Sequence, residues 1–352
     1  MPAGMGAHAG MSSINELEYL CVDRFLAQFM DVQALASALE LGIVDRLEQQ
    51  AVEFGSLLPG ADVRVLRLLV DLLRVNGVVE EGSYGVALTA EFRCALKFRG
   101  LIEAKIDFAN LAAVDLIRHF SVLVRDPREF MASAAMFRLF SYGRCFDFTP
   151  ENIQLTRRWM RITTELTRHE ARACLHRYDF TPHRRMLDIG GNSGEFALQI
   201  CRQHAHLRAT VFDLPLVCDI GREHIQSAPE SARIAFVAGN AMEDALPAGM
   251  DLITFKSVLH DWPDAEAALF VRRAFAALAP GGTLLIFERG AFEIGATTLP
   301  YATVPLVTFA HSYRSPAFYE ALLGELGGEK IATQRVGLEM PFFVCTAGKR
   351  AQ

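Results

Sequence analysis

Several common patterns are missing from this chain of 352 residues. Its seven cysteines (Cys21, Cys94, Cys145, Cys174, Cys201, Cys218, Cys345) include no C-x-x-C pair, and their number is odd. That argues against a disulfide framework and against a zinc site, and the expectation is reduced core cysteines in a cytoplasmic protein. No run approaches the ~18 consecutive apolar residues of a membrane span. The opening MPAGMGAHAGMSS has no basic segment followed by an apolar one, so no signal peptide is expected. There is no internal repeat and no low-complexity tract. Basic excess is lacking too: the net charge is −6 and the pI about 6.0, unlike a general binder of nucleic acid or anionic membrane. What is abundant is apolar material, 51% hydrophobic with 10% aromatic, enough for large cores and for two domains at this length.

The organising stretch is LDIGGNSGEFALQI, Leu187 to Ile200. An apolar run ends in Gly190 and Gly191, and Phe196, Ala197, Ile200 and Cys201 then recur at helical spacing. The pattern predicts strand, glycine turn, helix, with close backbone approach to a ligand at the strand's carboxyl end. A dinucleotide fingerprint G-x-G-x-x-G fails in both registers, giving Gly190, Asn192, Glu195 or Gly191, Ser193, Phe196. Instead, Asp188 lies just before the turn and Asp213 ends the next apolar run. An acid about 20 residues on is placed for ribose hydroxyls. A carboxylate under the turn suits a positively charged ligand, and S-adenosylmethionine offers a sulfonium, an ammonium and a ribose without a pyrophosphate.

Residues 13 to about 100 read as helical, then briefly extended. Ser13 can cap a helix through Leu17, Leu20, Phe25 and Phe29; a second covers Val32 to Leu47, and a third Val63 to Val75. Gly77 to Leu88 reads as a hairpin. Helices followed by a hairpin make a winged helix, but residues 31–99 hold ten Asp/Glu against seven Lys/Arg, the wrong balance for reading DNA. A dimerising or substrate-covering role fits better. Residues 101–180 read as helical and rich in Phe. Phe137 to Phe148 contains Gly143, Arg144 and Pro150 is close behind, which predicts a loop whose Phe137, Phe140 and Tyr142 line a substrate pocket. Pro150 then opens a long helix carrying Met160 and Thr164.

From Met186 strands and helices alternate, the mark of a parallel sheet. Strands are predicted at 186–190, 208–213, 234–238, 250–257 and 282–288, with a closing antiparallel pair at 329–336 and 341–347. Helices are predicted near 194–205, 216–226, 264–278 and 315–327. In DLITFKSVLHDWPD (Asp251 to Asp264), a buried strand delivers Lys256 and then His260, Asp261 and Trp262 at its carboxyl end. Neutral imidazole can take a proton from a hydroxyl. Glu288, ending the next strand, is placed to hold the ring, although an ordinary strand-end carboxylate reads the same way.

Together LDIGGNSG, VFDLP (211–215), FKSVLHDWPD and LAPGGTLLIFE (278–288) resemble the motifs of the S-adenosylmethionine-dependent O-methyltransferases, the group of caffeate, acetylserotonin and bacterial natural-product enzymes. The resemblance implies an α/β fold, a class I methyltransferase Rossmann-like sheet with an N-terminal all-helical, winged-helix dimerisation domain. It implies three parts: residues 1–100 for dimerisation, 101–180 as a helical connector lining the pocket, and 181–352 binding the cofactor. The implied cofactor set is Asp188, Gly190, Gly191, Asn192, Asp213, Leu214, Asn240, Ala241, Met242 and Lys256. His260 would be the general base with Glu288 beside it, and Phe137, Phe140, Tyr142, Met160, Thr164, Phe309 and Tyr313 would line the acceptor pocket. No metal is implied. The expected partners are a small-molecule acceptor and a second copy of the chain, with neither nucleic acid nor membrane.

This chain departs from the family in three places. Asn192 stands where a third glycine is usual, and Asn tolerates positive φ. The G-D-M-F motif reads Gly239-Asn240-Ala241-Met242. Tyr313, in HSYRS (311–315), stands where the family has a second supporting acid. The expected reaction is methyl transfer to a hydroxyl of an aromatic or polyketide-like molecule. The alternatives are carbon methylation and, as in some relatives that keep the cofactor, hydroxylation, decarboxylation or ring closure.

Overall fold

The computed structural model describes residues 18–291 and 299–351. Ser13 and Leu17 lie outside these. Residues Glu18–Leu26 form 3₁₀ turns, followed by α1 (Phe29–Glu40), α2 (Ile43–Gln49) and α3 (Val63–Val75). The expected single helix over Val32 to Leu47 is therefore broken: Gly42 adopts φ +68°, which a glycine takes without strain and a helix cannot continue through. Asp62 caps α3, its Oδ1 accepting from the backbone N–H groups of Arg64 and Val65. Strands β1 (Val79–Gly82) and β2 (Gly85–Leu88) make the expected hairpin.

Helices α4 (Ala90–Ala95), α5 (Arg99–Arg125), α6 (Pro127–Ser133) and α7 (Pro150–Arg177) follow. The anticipated loop before α7 is wound into two short 3₁₀ turns, Ala135–Phe140 and Tyr142–Phe146. α7 starts where Thr149 caps it with Pro150 at its first turn, and it packs against α5.

The remainder alternates: β3 (Arg185–Ile189), α8 (Glu195–Gln203), β4 (Arg208–Asp213), α9 (Pro215–Ile225), β5 (Ile234–Ala238), β6 (Met250–Lys256), α10 (Asp264–Ala277), β7 (Leu278–Arg289), α11 (Val304–Thr308), α12 (Pro316–Glu325), β8 (Glu329–Gly337) and β9 (Pro341–Gly348). The seven strands run in the order β5-β4-β3-β6-β7-β9-β8. All neighbours through β7 are parallel, and β9 and β8 close the sheet antiparallel. Parallel strands need both faces covered, and the sequence supplies unbroken apolar runs: Leu187, Ile253, Phe255, Ile286 and Phe287 are fully enclosed. Burying each such side chain contributes roughly 1.5–3 kcal/mol. Register carries the functional consequence. Ile189 pairs with both Phe212 and Phe255, and Lys256 pairs with Phe287. The carboxyl ends of β3, β4, β6 and β7 therefore lie along one edge.

Among the described residues no helix is long and apolar enough to cross a membrane. All seven cysteines are free; five are buried, Cys21 is partly exposed and Cys94 is exposed. The segment before α1 is tied down by polar contacts. Asp23 pairs with the buried Lys105 of α5, and the Tyr19 hydroxyl donates to Glu339 Oε2 at 3.0 Å, in the β8–β9 connection. Asp23→Ala would leave the Lys105 ammonium buried without its counter-ion, at a cost of roughly 3–5 kcal/mol. A denaturant midpoint should fall accordingly and recover most of the loss in the Asp23→Ala/Lys105→Met double variant. Equal losses in the single and double variants would show that the pair does not hold this segment.

Candidate active site

The turn after β3 is built from residues that can bend tightly. Gly190 (φ +66°), Asn192 (φ +55°) and Gly194 (φ +75°) all take the left-handed conformation, so Asn stands where the family's third glycine would. A Cβ on Gly190 would meet Val258 at 2.8 Å, and one on Gly191 would meet Asp188 Oδ2 at 2.6 Å. The turn is therefore held close to the sheet, and its backbone faces a cavity of about 390 Å³.

Two carboxylates serve this turn. Asp213, ending β4, accepts from the backbone N–H of Asn192 (2.8 Å) and of Leu214 (2.7 Å) and lines the cavity. Burial pushes its pKa up to about 6 in spite of those bonds. Asp188 lies beneath the turn, fully enclosed. Its Oδ1 accepts from the Thr254 hydroxyl at 2.7 Å and its Oδ2 is buried without a partner. Burial pushes this carboxyl up to about 7, with Thr254 opposing and the nearby Asp213 adding to the rise. A positive ligand at the turn would favour the ionised form of both acids. An unpartnered carboxylate oxygen under a glycine cradle, with a second acid one strand along, thus fits S-adenosylmethionine. Farther along, Asn240 Oδ1 accepts from the Met242 N–H at 3.0 Å and shapes the turn after β5.

At the end of β6, Ser257 takes φ +54°, and this bend carries the chain into the 3₁₀ turn Leu259–Asp261. Glu288, near the end of β7, gathers that turn. Its Oε2 accepts from the N–H groups of Val258 (3.1 Å) and Leu259 (2.9 Å), and its Oε1 pairs with His260 Nδ1 (2.7 Å) and accepts from the Arg289 N–H (2.8 Å). Burial opposes ionisation, but His260 and these donors together hold the carboxyl below its ordinary range. An ionised Glu288 only accepts, so the proton on the neutral ring is assigned to Nδ1. On the other side, Nε2 lies 3.4 Å from Asp261 Oδ1, an oxygen buried without a hydrogen bond. Asp261 Oδ2 accepts from the Tyr142 hydroxyl at 2.6 Å. Burial raises the Asp261 pKa, with His260 opposing.

The cavity wall is aromatic where an acceptor would sit. Phe140 and Phe309 pack at 5.0 Å, Tyr142 stacks on Trp262 at 5.9 Å, and Tyr313 leans on His260 at 5.3 Å. The structure thus brings Gly190, Asn192, Asp213, Leu214, Asn240, Ala241, Lys256, His260, Phe140, Tyr142, Phe309 and Tyr313 around one cavity. Asp188, Gly191, Met242 and Glu288 stand one layer behind it. Phe137 also stands back, packed on Phe309 (5.2 Å) and Phe130 (6.0 Å).

Met160 and Thr164 are corrections. Met160 packs with Leu216 and Val217 of α9, and the Thr164 hydroxyl donates to Ser193 Oγ (2.7 Å) behind the turn. Their helix presents the face of Trp159, Thr163 and Thr167 instead. Thr163 bonds Asn192 Oδ1 (3.2 Å) and Thr167 accepts from Lys256 Nζ (2.9 Å). Sequence reasoning also missed Glu170, one turn on. It is buried and pairs with both Lys256 and Arg289 Nη2, the latter at 2.7 Å. Burial would raise its pKa, yet the two cations hold it well below the usual range. Lys256, which lines the cavity, is held there by Glu170 and Thr167.

Comparison with known proteins identifies the family. A family model described as an O-methyltransferase domain matches residues 123–328. Acetylserotonin O-methyltransferase of Bos taurus is 30% identical over 335 residues, covering 91% of this chain and 95% of the relative. The 3-hydroxy-5-methyl-1-naphthoate 3-O-methyltransferase of Streptomyces sahachiroi is 39% identical over 110 residues, 31% of this chain and 32% of that one. Among solved structures, human N-acetylserotonin methyltransferase in complex with S-adenosylmethionine superposes with a TM-score of 0.74 at 20% identity, over 99% of this chain and 100% of the other. The chain belongs to the S-adenosylmethionine-dependent O-methyltransferase family.

Proposed function

We propose that this chain methylates a hydroxyl of an aromatic small molecule with His260 as the general base, and that it works as a homodimer. The observation that carries the reading is the imidazole on the cavity wall, clamped by Glu288 at Nδ1 with Nε2 left to receive a proton. The acceptors named for the two relatives, acetylserotonin and a hydroxynaphthoate, suit an aromatic wall of this kind.

The bound cofactor supplies a methyl group activated by the positive sulfur. The chain's residues do the rest. Asp213 and the Gly190 turn hold the ribose and methionine portions, and Asp188 favours positive charge from below. The aromatic wall orients the acceptor and keeps water out. His260 Nε2 takes the hydroxyl proton. The resulting imidazolium is stabilised by Glu288 at one nitrogen, and its new N–H meets the unpartnered Asp261 Oδ1 at the other. Most of the acceleration comes from holding the reactants in line.

Dimerisation is read from α5, where Val114, Ile117, Phe120 and Val124 recur at helical spacing and stand exposed, Ile117 by 77%. Exposed Phe29 and Met30 of α1 adjoin this face through the Phe29–Tyr301 contact (5.7 Å) and the Gln33–Asn110 bond (2.6 Å). Light scattering on the wild-type chain should give a dimer, and Ile117→Glu/Phe120→Glu a folded monomer. A wild-type monomer refutes this part.

The base assignment is tested by His260→Ala. Turnover should fall roughly 10²–10⁴-fold at pH 7 with little change in S-adenosylhomocysteine affinity. Raising the pH towards the phenol's own pKa, about 10, should rescue it in part, because the acceptor then ionises unaided. Wild-type turnover at neutral pH would remove His260 from the mechanism.

Cofactor affinity should follow the two raised carboxyls. Both are ionised well above pH 7 and protonate as the pH falls through about 7 and then about 6, removing the charge that attracts the sulfonium and ammonium. The S-adenosylmethionine Kd measured by calorimetry should worsen roughly ten- to thirtyfold from pH 8 to pH 5.5. Asp188→Asn should flatten the upper part of that curve, and a flat wild-type curve would contradict the assignment.

A further inference from the structure

Strand order sets where each part of the cofactor lies along the sheet edge. β3, β4 and β5 are successive neighbours. With the methionine portion at the Gly190 turn after β3 and the ribose at Asp213 ending β4, the purine falls one strand further on, at the end of β5. Gly239, Asn240 and Ala241 form the cavity wall there. Of these three, only Asn240 has a side chain that can hydrogen-bond.

Asn240 is held in one orientation. Its Oδ1 accepts from the Met242 N–H at 3.0 Å, and only the oxygen of an amide can accept from a backbone donor. Its own backbone N–H donates to Asp244 Oδ2 at 2.7 Å, which closes the same bend. The Gly239 N–H donates to the Asp213 carbonyl at 2.9 Å and ties that bend to the end of β4. Nδ2 makes no hydrogen bond among the described residues. The side chain is half-buried on the cavity wall, so its amino end is what it has left to offer a ligand. Glu243 and Asp244, the nearest acids in the chain, are exposed and do not line the cavity.

Purines differ in what they show such a donor. Adenine carries an amino group at position 6 beside the acceptor N1. Its deaminated form, hypoxanthine, carries an oxygen there beside an N1–H. An asparagine with both ends free reads adenine twice, its oxygen on the 6-amino group and its nitrogen on a ring nitrogen. Here the oxygen is drawn back into the turn, so a single donor meets the base. Adenine can answer it with N1 and hypoxanthine with O6. We propose that Asn240 reads the purine through one donated hydrogen bond, so that this chain holds the 6-oxopurine form of its cofactor about as tightly as the adenine form. The proposal rests on Asp213 holding the ribose and the Gly190 turn the methionine portion. It makes Asn240 the residue that sets selectivity for the base.

The test is calorimetry on the full chain with S-adenosylhomocysteine and S-inosylhomocysteine, which differ only in the amino or oxo group of the purine and the proton on N1. The two wild-type Kd values should agree within about threefold, since either base satisfies one donor. Asn240→Asp keeps an oxygen for the Met242 N–H and replaces the amino end with an acceptor. The Kd ratio should then move at least roughly tenfold towards S-adenosylhomocysteine, because O6 would face a carboxylate with no donor between them. The wild-type ratio needs no variant and stays decisive should Asn240→Asp fail to fold. A wild-type preference for S-adenosylhomocysteine of about tenfold or more overturns the proposal. Asp213→Ala should weaken both ligands by the same factor, because the ribose is common to them. If it leaves both Kd values unchanged, the ribose placement fails and the base assignment falls with it. If it weakens both while a folded Asn240→Asp leaves their ratio unchanged, the base assignment alone falls.

Discussion

The site depends on one buried carboxylate. Glu288 accepts three backbone N–H groups and pairs with the His260 ring, so a single side chain near the end of β7 sets the path of the residues leaving β6 and the tautomer of His260. Removing it would leave three buried donors without acceptors as well as an unanchored imidazole, and each buried orphan costs about 1–3 kcal/mol. The parallel register makes this possible. Because β6 and β7 are neighbours whose carboxyl ends coincide, the acid reaches across one strand spacing, and the cofactor turn lies one strand further on.

The fold was legible wherever the local pattern decided the structure. Apolar runs ending in glycine or an acid marked β3, β4 and β7, and Pro150 after Thr149 marked the start of α7. The local pattern failed at Gly42, where apolar spacing continues across a residue whose φ ends the helix. It failed also in the phase of α7. Threonines and Met160 crowd two adjacent faces of that helix, and only the packing of α7 on α8 and α9 decides that Thr163 and Thr167, not Thr164, meet the cavity. A one-residue error on a helix is a rotation of about 100°, enough to exchange the wall of a pocket for its back.

Within the candidate site, residues carried by motifs were readable and residues that act through distant partners were not. Asp213, Lys256 and His260 announce themselves at strand ends. Glu170 does not, because a glutamate amid RHEAR on a long polar helix reads as solvated until Lys256 and Arg289 arrive from 86 and 119 residues away. Lys105 hides for the same reason, its partner Asp23 lying 82 residues off. Buried charges of opposite sign placed far apart in a sequence have no local signature, yet they must be paired to be tolerated inside.

That requirement gives α7 a second task besides covering the sheet. Thr163 touches the cofactor turn through Asn192, Thr167 touches Lys256, and Glu170 joins Lys256 to Arg289. One helical face thus runs from the glycine turn after β3 to the wall beside His260. Glu170 and Glu288 together offset the charges of Lys256 and Arg289 at that wall, while Asp188 and Asp213 favour positive charge at the turn. A cationic cofactor is thereby favoured at one end of the cavity. The field at that end is set by side chains already locked in place by backbone and hydroxyl donors, so little reorganisation remains when the cofactor binds.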